Sequence, residues 1–217
     1  VALCGGQRLK RIAATINDKP LRDLIVSQAR RAGMRAAPAV AYCNRVSVPV
    51  VVGILKPTVL LPSSLATGMP VDQLEAIFTH ELAHIRRFDL LVNLLQRLVE
   101  SLSFFHPAVW YVSRLVSVER ENCCDDFVLQ SGFQRLQYAS ALVRMAELSG
   151  KLEGNDVTSQ VAALAASGES PSQFKRRVMR LLGEGDRPRL RRDVLVVSAL
   201  LVRRRRDGEV PGARRAL

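Results

Sequence analysis

No apolar run in this chain reaches the roughly 20 residues that a helix needs to cross a bilayer. The longest candidate, Val194 to Val202, stops at nine residues, between Asp193 and the Arg203–Arg206 cluster. That leaves room for a clipped or interfacial segment and excludes a complete span. Cysteine is scarce too: Cys4, Cys43, Cys123 and Cys124 are all there is. Their spacing matches neither a zinc knuckle nor a secreted disulfide framework. Adjacent Cys123 and Cys124 do not bridge each other, so reduced thiols in a cytosolic setting are expected. No signal peptide opens the chain, and it starts at Val1 rather than Met, as a fragment would. Histidine is scarcer still, with three in 217 residues.

What is present is ordinary in bulk. Hydrophobic residues make up 48% and charged residues 24%, which excludes wholesale disorder, collagen and a small disulfide scaffold. The length fits one domain with appendages, large enough to bury a core unaided. Lys and Arg outnumber Asp and Glu by 32 to 20, giving +12. From Arg187 to Leu217, ten arginines face three acidic residues, so +7 of that excess sits in the tail. No nucleic-acid-binding motif accompanies it, and a nucleic-acid partner is not expected. A basic tail suits an anionic lipid surface equally well.

Periodicity divides the chain into four parts: an N-terminal helical segment over 1–37, a core over 38–150, a linker with a short helix over 151–183, and a basic tail over 184–217. Asp18 to Ala32 reads as an amphipathic helix closed by Gly33. Between Pro38 and Pro62 the β-branched texture of PAVAYC, VSVPVVVG and TVLLP predicts short strands. Pro49 and Pro57 suggest that these lie at a sheet edge, because proline donates no ladder hydrogen bond. Pro70 opens a helix whose inward stripe is Leu74, Ile77 and Phe78. Further helices are expected over Phe88–Phe105, Ala108–Gln130 and Phe133–Leu148. Ser170-Pro171-Ser172-Gln173 carries capping-box chemistry and starts a short helix ending near Gly183.

The Pro70 helix carries His80-Glu81-Leu82-Ala83-His84. Residues four apart share a helix face, so both imidazoles can bind one Zn²⁺ while Glu81 serves as the base toward a water. Catalytic zinc needs a third protein ligand, and the remaining histidine, His106, precedes a proline at a helix junction, where a turn role is expected. A carboxylate from Glu119-Arg120-Glu121-Asn122-Cys123-Cys124-Asp125 is the alternative. Glu121 and Asp125 share a face, so Glu121 can ligate while Asp125 orients an imidazole from behind. Cys124 lies near that face, which keeps a thiolate ligand open. Without HELAH, the acidic cluster would read as a solvated helix face.

HELAHIRRFDLLVNLLQ, then FFHPAVW, then ERENCCDDFVL, with VPVVVGILKPTVLLP before them, resembles the BlaR/MecR family of integral-membrane zinc metallopeptidases over about Val46 to Leu148. The resemblance implies an α+β, mainly α fold: a gluzincin-like helical zinc-protease domain with a small edge sheet. It implies one zinc held by His80, His84 and Glu121, with Glu81 as catalytic base. Arg87, Asp89 and Asp125 match recurrent positions with structural or supporting roles. It implies a membrane-associated regulatory protease with a protein or peptide substrate and a protease domain facing the cytoplasm. An extended substrate would pair with the strand carrying Val48, Val50 and Val52. In such a family the apolar Phe88–Phe105 helix would leave an exposed patch on this fragment. The competing reading is a catalytically silent relative that signals through partner binding.

Overall fold

The computed structural model describes residues 14–15, 19–153 and 170–183. The basic tail and most of the 151–169 linker lie outside the described residues. The elements run β1 (Ala14–Thr15), α1 (Lys19–Arg31), β2 (Ala39–Tyr42), β3 (Val50–Val52), β4 (Thr58–Leu61), α2 (Ser63–Gly68), α3 (Val71–Arg86), α4 (Asp89–Leu102), α5 (Pro107–Gln130), α6 (Arg135–Glu153) and α7 (Pro171–Leu182). The architecture is α+β and mainly helical.

The start of α5 and both ends of α7 follow from local chemistry. Pro107 at the first turn of α5 gives up an N–H that would be orphaned anyway. The Ser170 hydroxyl accepts from the Gln173 N–H while the Gln173 side chain accepts from the Ser170 N–H, closing a capping box at α7. Gly183 terminates α7 at φ 85°, where a side chain would be strained.

The sheet order is β1-β2-β4-β3. β2 and β4 are parallel, with Val40 opposite Val59, and β3 runs antiparallel to β4, with Val51 opposite Val59. β3 is an edge strand, as Pro49 suggests, with β1 at the opposite edge. β4 is interior, which corrects the expectation drawn from Pro57. That proline precedes the strand and costs it no ladder bond, so all four residues of β4 are buried. The six-residue α2, entered through Pro62, was not expected: it is too short to show a helical period.

The predicted stripe Leu74, Ile77 and Phe78 is buried in one core with Leu21 and Ile25 of α1, Val59 and Leu61 of β4, Val128 of α5, Tyr138 and Leu142 of α6 and Leu181 of α7. Removal of each such side chain from water contributes about 1.5–3 kcal/mol. α3 lies at the centre and packs against α1, α4, α5, α6 and β3. Helix α4 is inside out. Its apolar stripe (Leu91, Leu94, Leu95, Leu98, Leu102) faces solvent, whereas Asp89 and Glu100 are buried. Gln96 on the same inner side donates to the Ser113 carbonyl at 2.8 Å, tying α4 to α5.

Candidate metal centre and active site

The i, i+4 spacing on α3 brings the Nε2 atoms of His80 and His84 to 3.2 Å. From α5, Glu121 places Oε2 3.5 Å from His80 Nε2 and 3.7 Å from His84 Nε2. Four donors about 2.0–2.1 Å from a tetrahedral zinc lie about 3.3–3.4 Å apart. The three atoms therefore form a face of the right size, and His₂Glu is a donor set that suits zinc. His106 is exposed at the start of α5, and it takes no part in the cluster.

Behind each imidazole stands a carboxylate. Asp89 Oδ2 accepts from His84 Nδ1 at 2.8 Å. Asp125 Oδ1 lies 3.3 Å from His80 Nδ1. These contacts hold a proton on each Nδ1 and turn each Nε2 toward Glu121, where it is free to ligate a metal once it is deprotonated. Asp89 reaches His84 because the chain turns sharply at Phe88, which sits in the left-handed region at φ 57°, ψ 34°. Arg87 steadies Asp89 from the exposed side, with Nε 3.5 Å from Oδ1.

Two further residues complete the rear of the site, and neither was singled out in the sequence. The Tyr138 hydroxyl of α6 donates to Asp125 Oδ1 at 2.7 Å and lies 2.9 Å from His80 Nδ1. Arg177 of α7 grips Asp125 with Nε on Oδ2 at 3.0 Å and Nη2 on Oδ1 at 2.7 Å. Its Nη1 also lies 3.5 Å from Glu121 Oε2. Asp125 is fully buried, so without the guanidinium its charge would be very costly.

The electrostatics follow from this packing. Burial alone would lower the His80 pKa, but Asp125 and Glu121 outweigh it and hold the imidazolium up to about 9. Burial would raise Glu121, yet the hydrogen bond from His80 and the charges of His84, His80 and Arg177 bring it down to about 2. Asp125 is likewise held well below the usual carboxylate range, chiefly by Arg177 against its burial. Glu81, half-buried on the same helix turn, is pushed upward by desolvation against the pull of His84 and His80. An upward-shifted carboxylate is suited to accepting a proton near neutral pH.

Cys124 lies on the other side of His84, with Sγ 3.3 Å from Nδ1 and 3.6 Å from Asp89 Oδ2. Burial and the charges of Asp89 and Glu121 push its thiol far up. It stays an S–H that contacts Asp89 and does not add a ligand to the Nε2 face. Val48 and Val52 are buried and Val50 half-buried, on or beside the edge strand that packs on α3.

A profile of the BlaR1 peptidase M56 family matches residues 2–181. The chain belongs to this family. The M56 domain is 24% identical over 174 residues to the regulatory protein BlaR1 of Bacillus licheniformis, covering 79% of this chain and 28% of that protein. It is 25% identical over 114 residues to the methicillin resistance mecR1 protein of Staphylococcus aureus, covering 52% of this chain and 20% of that protein. The chain thus spans about a quarter of the length of these relatives. The matched region includes α7 and therefore Arg177.

Proposed function

We propose that the M56 domain is a zinc-dependent endopeptidase, the catalytic part of a membrane-associated regulatory protease whose protease domain faces the cytoplasm. The observation that carries this reading is the convergence of His80 Nε2, His84 Nε2 and Glu121 Oε2 beside Glu81. One zinc would be held by those three side chains. Bound there, it supplies a Lewis acid that polarises a scissile carbonyl and lowers the pKa of water toward about 7.

The chain's own residues do the rest. Glu81 takes the proton of the attacking water on its carboxylate and passes it to the leaving amine. Glu121, ionised down to about pH 2, supplies the negative donor throughout the working range. Asp89 and Asp125 hold the Nδ1 protons so that neither ring rotates during turnover. β3 pairs with β4 on one side and, among the described residues, with nothing on the other. Val48, Val50 and Val52 belong to the core through their side chains, while the open backbone edge of this strand accepts an extended peptide main chain to main chain.

Metal content of the purified chain tests the reading, measured with Glu121→Ala and Glu81→Gln. About one zinc per wild-type chain, lost in Glu121→Ala, supports the ligand set. Glu81→Gln should keep the zinc and lose about 10²–10⁴-fold in peptide hydrolysis. Hydrolysis at the wild-type rate in Glu81→Gln would overturn the base assignment. A folded wild type that takes up no zinc would leave the catalytically silent, partner-binding relative as the better reading.

A further inference from the structure

Cys124 is fully buried, yet its sulfur contacts two polar atoms. Sγ lies 3.3 Å from His84 Nδ1 and 3.6 Å from Asp89 Oδ2, and those two atoms are 2.8 Å apart. Each donor comes from a different helix: His84 from α3, Asp89 from α4 and Cys124 from α5. A buried cysteine that served packing alone would behave as a small hydrophobe. Here an imidazole nitrogen, a carboxylate oxygen and a sulfur meet at the Nδ1 edge of His84, opposite the Nε2 edge that meets Glu121.

A tetrahedral cation with bonds of about 2.0–2.1 Å to nitrogen and oxygen and about 2.3 Å to sulfur holds its donors about 3.3–3.6 Å apart. Both sulfur edges of this triangle already have that length. The N···O edge is shorter because a proton is shared across it, and it opens when a cation takes the proton's place. Coordination removes a thiol proton outright, so the occupied set carries the charges of one thiolate and one carboxylate. Together they neutralise a divalent cation, while Arg87 stays on the other oxygen of Asp89, Oδ1, at 3.5 Å. Thiolate is a soft donor, whereas the Nε2 face offers only nitrogen and oxygen. The two clusters therefore differ in the metal they favour.

We propose that His84 Nδ1, Asp89 Oδ2 and Cys124 Sγ form a second cation site, selective for a soft, thiophilic divalent metal. A neutral imidazole carries one free lone pair. Filling Nδ1 leaves the ring proton on Nε2, where it faces Glu121, so the soft cation and a zinc on the Nε2 face exclude one another. The site goes beyond the peptidase reading and stands without it.

Cadmium is the probe, titrated under reducing conditions into the full metal-free chain. Expected are a thiolate-to-cadmium charge-transfer band in the ultraviolet and one sulfur neighbour per cadmium in X-ray absorption. Glu121→Ala and Cys123→Ser should keep both signals, and Cys124→Ser should lose them. Asp89→Asn retains all four cysteines and should bind cadmium at least about tenfold more weakly. A band that survives in Cys124→Ser would assign the metal to another cysteine and overturn the proposal. Unchanged affinity in Asp89→Asn, or no sulfur neighbour in the folded wild type, would overturn it as well. Wild type preloaded with one zinc should bind cadmium more weakly and release its zinc as cadmium enters. Both cations held together at full strength would overturn the exclusion. A chain that takes up no zinc but shows the Cys124-dependent band would sink the peptidase reading and leave this site in place.

Discussion

Replacing Arg177 by Met tests whether the proposed metal site is built from the rear. The guanidinium makes two hydrogen bonds to Asp125, at 2.7 and 3.0 Å, and its own side chain is nearly buried. Methionine fills a similar volume but leaves the fully buried Asp125 with the Tyr138 hydroxyl and His80. Breaking a buried pair from one side costs about 3–5 kcal/mol. For a domain of this size that is a drop of roughly 6–20 °C in Tm. Asp125 in the wild type has a depressed pKa. Its contribution to stability is therefore fully present above the unfolded value of about 3.9 and is lost only as pH falls through the lower folded value. In Arg177→Met that loss moves to higher pH. Once Asp125 protonates, His80 Nδ1 loses its anionic partner, and zinc affinity should fall about 10–100-fold. The assays are calorimetry with and without zinc, and competition for zinc against a chromophoric chelator. Adding Asp125→Asn to Arg177→Met should recover much of the lost Tm, because no unpaired charge remains, without recovering zinc affinity. A single variant with wild-type Tm and wild-type zinc affinity would refute the reasoning.

Three other outcomes are expected. In metal-free protein His80 is held protonated to about 9, so its stabilising contribution is complete below about pH 6.5 and is lost as pH rises through 9. The Tm of the metal-free protein should fall over that window, and zinc uptake near neutral pH should release a proton, seen as buffer-dependent heats in titration calorimetry. Tyr138→Phe removes a hydroxyl that bridges Asp125 and His80. It should cost about 1–3 kcal/mol in denaturant unfolding and weaken zinc less than Arg177→Met does. Phe88 is exposed and left-handed, so Phe88→Gly should relieve about 1 kcal/mol of backbone strain and raise Tm by about 2–4 °C.

The parts of this protein legible in its sequence are those set by local chemistry. The helix periods, the HELAH face, Gly183 and the Ser170 capping box each depend on residues within a turn of one another. Two acids four apart on α5 were enough to suggest Glu121 beside Asp125. The structure brings Glu121 to both histidines and Asp125 to His80. Arg177 was not legible for the opposite reason. It lies 52 residues beyond Asp125 within Lys175-Arg176-Arg177, which reads as a solvated basic run. Tyr138 stands in an amphipathic helix where an aromatic reads as core, and core is where it lies. Only its hydroxyl distinguishes it. The stripe on α4 was visible as a period, but a period does not say which side the fold turns inward. That depended on Asp89 and Gln96 finding polar partners on α3 and α5.

The grip of α7 on Asp125 also bears on where this kind of domain can be cut. A version trimmed before Ser170 would keep His80, Glu81, His84 and Glu121 and would pass any inspection by motif. It would nevertheless leave the buried Asp125 without its guanidinium partner, held by Tyr138 and His80 alone, and open the core where Leu181 had been. Sequences that share the HELAH and ERENCCDD signatures but lack a counterpart of α7 should therefore have either a neutral residue at the position of Asp125 or a cation supplied from elsewhere. The pairing of those two positions is a better mark of an intact domain than HELAH taken alone.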